Sequence, residues 1–262
     1  MRKAALETPS IQSLDRGLAI LEAVARSPEP VPLGQLTDLL GIDRSSVFRL
    51  ANTLRRRGFL TNPAGGRDFI LGPSIWRLSR KYGWTNMLNA FCREQLRTLT
   101  AATGETTHLA VREGRQAFFI DHYSSTNQVI VVSGQTGESV PLYCTAHGKA
   151  LLADCGVPAL KAIFGAAPFE IHTPTTIPTI EDLAAACALI QARGFAFDNA
   201  EYLTEVRCLA SPIRDKDGEI VASIGISAPL NRFPVERCDE FGRQVSAAAG
   251  AVSSRLRAGE PA

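Results

Sequence analysis

IDRSSVFRLANTLRRRGFL, residues 42–60, runs straight into TNPAGGRDFIL, residues 61–71, and these two stretches decide the architecture of the front of the chain. Asp43 is a good N-cap, and Val47, Leu50 and Leu54 recur at helical spacing as a buried stripe. At about 100° per residue, Ser45, Arg49, Asn52 and Arg56 fall on a second, outward stripe. Short hydroxyls, an amide and guanidinium forks are the groups that bond base edges and phosphates in a major groove. Ser45, Ser46, Arg49, Asn52, Arg55 and Arg56 are therefore the candidate DNA contacts on this helix, with Arg49 and Asn52 toward bases and Arg55 and Arg56 toward phosphates. The following segment places two short apolar strands around a Gly-rich loop carrying Arg67, which suits a wing whose arginine reaches the backbone or minor groove.

Upstream, SLDRGLAILEAVARS (13–27) predicts a helix capped by Ser13, with Leu14, Leu18, Leu21 and Ala25 as its apolar face and Pro28 and Pro30 beyond its end. PLGQLTDLL (32–40) repeats the pattern with Leu33, Leu36 and Leu40, and Gly41 stands where a helix closes. Two short helices joined at a glycine, the second polar and basic, then a β-wing, make a winged helix-turn-helix. A solvated basic helix on an ordinary helical domain is the plainer reading, and this order of elements argues against it.

The net charge of +2 hides an asymmetry: residues 1–80 carry 12 Lys+Arg against 7 Asp+Glu, and the remainder is acidic. A basic module joined to an acidic one suits a nucleic-acid reader with a separate second function. Cys92, Cys144, Cys155, Cys187, Cys208 and Cys238 are scattered without a CxxC pair. With no apolar run after the basic start, that pattern predicts reduced thiols and a cytoplasmic protein. No run approaches the roughly 20 apolar residues of a membrane span.

The expected division is a DNA-binding module over 1–72, a linker helix over 73–83 from GPSIWRLSRKYGW, and a second domain over 84–262. The second domain opens with a helix burying Leu88, Phe91, Leu96 and Leu99 and ending at Gly104. Then come a hairpin in TTHLAVREGRQAFFIDHY (106–123), a strand in QVIVVSG (128–134) and a helix in TAHGKALLADC (145–155) with Thr145 as its cap. A helix in TIEDLAAACALIQARG (179–194) has a capping box from Thr179 to Asp182. RCLASPI and EIVASIGISA read as strands joined by the turn RDKDG, and a helix over 235–256 ends the domain. Mixed elements of this kind imply an α+β fold around a mainly antiparallel sheet.

Within it, GFAFDNAEYLTEVRCLASPI (194–213) sets Asp198 ten residues before Cys208. In EIVASIGIS, alternation puts Ile220, Ala222, Ile224 and Ile226 on the core face and Val221, Ser223, Gly225 and Ser227 on the other. A face that shrinks to Ser and Gly leaves room for a small molecule, and the start of the 145–155 helix, with Ala146, His147 and Gly148, favours an anion such as a carboxylate.

The SLDRGLAILE opening, RLANTLRRRGFL, PLYCTAHGKALLA and the 194–213 stretch together resemble the IclR family of bacterial transcriptional regulators over about residues 11–257. The family's pattern is matched at Gly194, Asp198, Glu201, Cys208, Leu209, Ala210, Ile213 and Asp215, and departs at Arg214, where an aromatic or His is usual. The resemblance implies a winged helix-turn-helix followed by a GAF-like effector domain. It further implies homodimers or homotetramers on palindromic double-stranded operators, and control by a small metabolite, often an organic acid, with repression the common output. It carries the effector pocket onto Val129, Val132, Ala146, His147, Asp198, Val206, Cys208, Gly225 and Ser227, with Gly225 making the pocket roomier or less polar. Asp198 is then expected to accept a hydrogen bond from the effector or to hold a strand end.

Other chemistries weigh less. A Cys208 nucleophile needs a base, and His108, His122, His147 and His172 show no sequence relation to it. His147, Asp198 and Cys208 are plausible zinc ligands, as a metal- or redox-responsive regulator would need, but lack ligand spacing. The expectation is a regulator that is not an enzyme and holds no metal or cofactor beyond its effector.

Overall fold

The computed structural model describes residues 11–63, 66–79, 83–124, 135–165 and 168–258. They form two compact units that divide after Gly83. The strand expected over 128–134, with Val129 and Val132, lies outside the described residues.

Unit 1 contains α1 (Gln12–Arg26), α2 (Leu33–Leu40), α3 (Arg44–Arg56), the paired strands β1 (Leu60–Thr61) and β2 (Ile70–Leu71), and α4 (Pro73–Ser79). Gly41 ends α2 in the left-handed conformation, and its N–H bonds Thr37 O. That turn throws the chain directly into α3, whose N-cap Asp43 accepts from Ser46 N at 2.9 Å. An extra bridge from Val31 to Phe69 ties the wing to the segment before α2. The core is Ile20, Val24, Val31, Leu36, Val47, Ala51, Leu60 and Phe69.

Two expectations for α1 need correction. Its N-cap is Ile11, not Ser13, and no side chain caps it. The face it buries holds Gly17, Ile20 and Val24, whereas Leu14 and Leu18 are 60% and 51% exposed. Both rows are spaced for a helix, so periodicity alone could not choose, and packing onto α3 selected the smaller row.

Among the described residues, unit 2 is built on a six-stranded antiparallel sheet in the order β5-β4-β3-β8-β7-β6. Its strands are β3 (Thr106–Glu113), β4 (Gln116–Tyr123), β5 (Ser139–Pro141), β6 (Ala196–Asn199), β7 (Val206–Arg214) and β8 (Ile220–Pro229). One face is covered by α5 (Gly83–Thr103) and α9 (Cys238–Ala258), which bury Leu88, Phe91, Leu96, Leu99, Phe241, Val245 and Val252 on Leu109, Ile224 and Ile226. The opposite face is covered by α6 (Ala146–Leu151), α7 (Val157–Phe164) and α8 (Ile180–Arg193). α7, β5 and β6 are elements that the sequence pattern did not reveal. Thr179 caps α8 by accepting from Asp182 N, but the Asp182 carboxylate takes the Thr179 hydroxyl, so the reciprocal half of the capping box is replaced.

The expected alternation of β8 holds from Ala222 onward and fails at its start. Ile213 pairs with Ala222 but Arg214 pairs with Ile220, leaving Val221 as an extra residue. This bulge exchanges the two faces: Val221 packs on the α5–α9 side and Ile220 on the α6–α8 side.

Candidate functional site

In unit 1, α3 presents two adjoining exposed rows. Ser46, Arg49 and Thr53 border a shallow groove with Ser13 and Arg16 of α1. Arg44, Phe48, Asn52 and Arg55 line a cleft of about 430 Å³ with Asn62 and Arg67 of the wing. Arg49, Arg56 and Arg67 are exposed. Ser45 is exposed too, but its hydroxyl donates to Asp43 Oδ1 at 2.6 Å, and with the Ser46 contacts this holds the Asp43 carboxyl far below its ordinary range. Arg55 donates to Asn52 Oδ1 and to Asn62 Oδ1, both at 2.9 Å, while Asn62 Nδ2 donates to Asp68 O at 2.8 Å. Arg55 therefore braces the wing against the helix. Arg44 and Phe48 escape a reading by helical stripe because they lie beyond the edge of the one outward row that spacing picks out, and Asn62 because it stands in the wing and not on the helix.

Of the expected pocket residues of unit 2, Ala146, His147, Asp198, Cys208, Gly225 and Ser227 come together on the sheet face beneath α6, while Val129 and Val132 lie outside the described residues. Asp198 stands opposite Cys208, Cys208 opposite Ser227, and Ser227 opposite Thr106 in one row across four strands. The next row runs Ala196, Ala210, Gly225, His108 and His122. A third holds Ser223, Ala110 and Phe119. Ala146 and His147 begin α6 above these rows, and both are buried. Val206 lies at the start of β7, paired with Pro229 at the margin of the site.

The His147 Nδ1 is 2.9 Å from Ser223 Oγ, and its ring meets His108 and Phe119 edge-on. Burial, with His108 nearby, pulls its pKa down to about 3, so the imidazole is neutral in cellular conditions. Its Nε2 is buried without a hydrogen-bond partner among the described residues. Asp198 Oδ1 accepts from Glu201 N at 2.7 Å, closing the turn after β6. Burial first, then Glu201, push the Asp198 carboxyl up to about 7. The Cys208 thiol donates to Ser227 Oγ at 3.2 Å, and burial with Asp198 raises its pKa. A thiol held protonated in this way is a poor nucleophile. Among the described residues no group of three or more His, Cys, Asp or Glu is placed to hold a metal ion.

The geometry amends two expectations. A Cβ on Gly225 would lie 2.2 Å from Leu209 O, so this glycine serves the close approach of β8 to β7 and does not enlarge a pocket. The short α6 spends its Gly148 N–H on Thr145 Oγ1, so its start is already partly capped. Beside the site sits a feature that sequence pattern does not single out: Lys149, on α6, donates to Glu201 Oε1 at 2.5 Å and to Phe197 O at 2.6 Å, with both charged groups nearly inaccessible. A lysine in an otherwise apolar helix turn was the available signal. Arg214, where the family pattern breaks, forms a two-pronged pair with Asp154 at 2.6 and 2.8 Å and fastens the β7–β8 turn to the end of the α6 segment. His122 bonds Thr136, and His172 bonds the Tyr143 hydroxyl.

Comparison with known proteins adds a lineage to this geometry. Residues 13–63 match the IclR helix-turn-helix domain, and residues 85–254 match the bacterial transcriptional regulator IclR C-terminal domain. The transcriptional repressor IclR of Escherichia coli is 30% identical over 94% of this chain and 90% of its own length. The acetate operon repressor of Salmonella typhimurium is equally similar, at 30% over the same shares. The crystal structure of an IclR homolog from Microbacterium hydrocarbonoxydans, complexed with 4-hydroxybenzoate, superposes with a TM-score of 0.80 at 20% identity, over 94% of this chain and 99% of that one.

Proposed function

The chain belongs to the IclR family of bacterial transcriptional regulators, and on that premise we propose how its two units share the work. It is a DNA-binding transcriptional regulator. Unit 1 lays α3 in a major groove, with Arg49 and Asn52 at base edges, Ser46 beside them, and Arg56 and Arg67 on phosphates. Arg55 sets the angle of the wing as well as adding charge. The output is repression, which the names of the similar regulators support.

Unit 2 binds a small organic acid on the α6 face of the sheet, and that binding changes DNA affinity. The observation that carries this reading is the buried polar layer of His147, Ser223, Asp198 and Ser227, with the half-buried Cys208 between Asp198 and Ser227, where a neutral imidazole keeps a ring nitrogen unused. A buried polar atom without a partner costs about 1–3 kcal/mol, and a ligand hydroxyl or carboxyl recovers it. The relative that holds 4-hydroxybenzoate supports an aromatic acid as the first candidate. No helix among the described residues is long and apolar enough to cross a membrane, in keeping with a cytoplasmic role.

The protein acts as a homo-oligomer, at least a dimer, on a palindromic operator whose half-sites lie about 10 bp or a multiple apart. The exposed Ile11, Leu14 and Leu18 stripe on α1 is an apolar surface that a second copy would cover.

A thermal-shift series tests the effector, with 4-hydroxybenzoate and aliphatic acids as the panel. At about 100 times its Kd a ligand adds about 2.7 kcal/mol, or roughly 5–10 °C. A shift that is lost in Asp198→Ala and His147→Ala supports the site. A shift that both variants keep places the ligand elsewhere.

A further inference from the structure

Phe48 is 50% exposed in the middle of an otherwise polar and basic helix face. The core of unit 1 does not account for it. α3 buries Val47 and Ala51 fully and Leu50 and Leu54 partly, and Phe48 points away from that stripe. It opens instead on the 430 Å³ cleft, among Arg44, Asn52 and Arg55 of α3 and Asn62 and Arg67 of the wing.

The surroundings define what would complement it. Guanidinium groups on both walls call for phosphates, and the amide of Asn52, whose Oδ1 takes Arg55, calls for a polar edge. Between them the ring calls for one apolar group. In a major groove, the apolar group on a base-pair edge is the C5-methyl of thymine, and Phe is one of the side chains that meets it.

We infer that Phe48 is a specificity-determining residue whose ring packs on a thymine methyl when α3 lies in the major groove. This rests on the DNA-reading role assigned to unit 1. It adds a base discrimination that Arg49 and Asn52 do not supply, because a guanidinium or amide reads hydrogen bonds and is indifferent to a methyl. The selected site therefore carries a fixed thymine in each half.

The test takes a DNA site enriched from random-sequence duplexes by the full-length chain and replaces its thymines one at a time with deoxyuridine. That change removes the methyl and leaves every hydrogen-bonding group and the protein fold untouched. At one thymine per half-site the wild-type affinity falls about fourfold, the equivalent of about 0.8 kcal/mol for one buried carbon. Phe48→Ala binds the thymine and deoxyuridine sites alike, and Phe48→Leu keeps part of the discrimination. The inference is overturned if no fixed thymine emerges, if no methyl matters, or if Phe48→Ala keeps the full methyl effect. If Phe48→Ala binds the enriched site as the wild type does but loses self-association, the ring serves a protein contact instead. Failure to enrich any sequence would overturn the DNA-reading role itself, an outcome distinct from enrichment without methyl dependence.

Discussion

Arg55 of the reading helix and Asn62 at the base of the wing are joined by a 2.9 Å hydrogen bond, and Asn62 in turn holds the returning wing strand through Asp68 O. The wing angle is thus set from the helix, so removing the brace and removing the charge are separable experiments. Asn62→Ala removes no charge. Its operator affinity is expected to fall about 3–10-fold, the worth of a hydrogen bond or two, at unchanged salt dependence. Arg55→Ala is expected to weaken binding further and to flatten the slope of log K against log salt by about 0.9, the share of a single neutralised phosphate. Equal slopes for the two variants, measured by fluorescence anisotropy, would leave Arg55 as a brace alone.

Arg49 lies on the exposed row of α3 beside Ser46, along the groove it shares with α1 and away from the wing. Arg49→Ala should cost about 1–3 kcal/mol on the operator and much less on mixed-sequence DNA, because the variant forfeits hydrogen bonds to a base edge and not merely a charge. Comparable losses on both DNAs would move Arg49 to the phosphate backbone.

The elements that could be read from the sequence are those that carry their own local mark. Asp43, Gly41, Thr145 and Thr179 cap helices where the sequence placed them. The polar face of β8 was legible from Ser223, Gly225 and Ser227 because alternation is strict in that stretch. Elsewhere the answer depended on distant contacts. α1 offers two rows of helical spacing, and only packing distinguishes them. Val221 forms a bulge that no local signal announces. Lys149 meets a carboxylate 52 residues away in the chain, and Gly225 is required by the backbone of β7. Alternation and helix position brought Ala146, His147, Ser223, Gly225 and Ser227 into view, but not the order in which the strands align them with Asp198 and Cys208.

Asp198 gives the effector domain a pH signature. Its carboxyl titrates at about 7 in the fold and at its ordinary 3.8 in the unfolded chain. Between those values the folded state holds the extra proton, so the contribution of this group to stability is full below about pH 4 and is lost as pH rises toward 7. Asp198→Asn keeps an acceptor for the Glu201 N–H and has no charge to bury. It should melt roughly 3–10 °C above the parent at pH 8, with the gap closing toward pH 4. A gap independent of pH would mean that the carboxyl ionises normally.

Cys208 separates a sensor of small acids from a protein working through its thiol. Burial and Asp198 keep that thiol protonated, and it donates to Ser227. Cys208→Ser preserves the size and the donor, so operator binding without ligand should stay within about twofold, an energy difference well under 1 kcal/mol. Iodoacetamide at neutral pH should leave Cys208 unmodified in the native protein. Loss of operator binding in a folded Cys208→Ser protein would revive the thiol chemistry.

The Lys149–Glu201 pair makes the strongest stability prediction, because each partner is buried and each depends on the other. Glu201 also carries an oxygen, Oε2, with no hydrogen-bond partner among the described residues, so the pair already bears an unrecovered cost. Removing one partner leaves a bare charge inside the domain, which typically costs about 3–5 kcal/mol. Lys149→Met should therefore lower the melting temperature of unit 2 by roughly 6–20 °C. Pairing it with Glu201→Gln, which removes the stranded charge, should restore much of that loss. The double variant would melt as low as Lys149→Met if the lysine acted through its contact with Phe197 O and not through the carboxylate, so the two melting curves decide which partner matters.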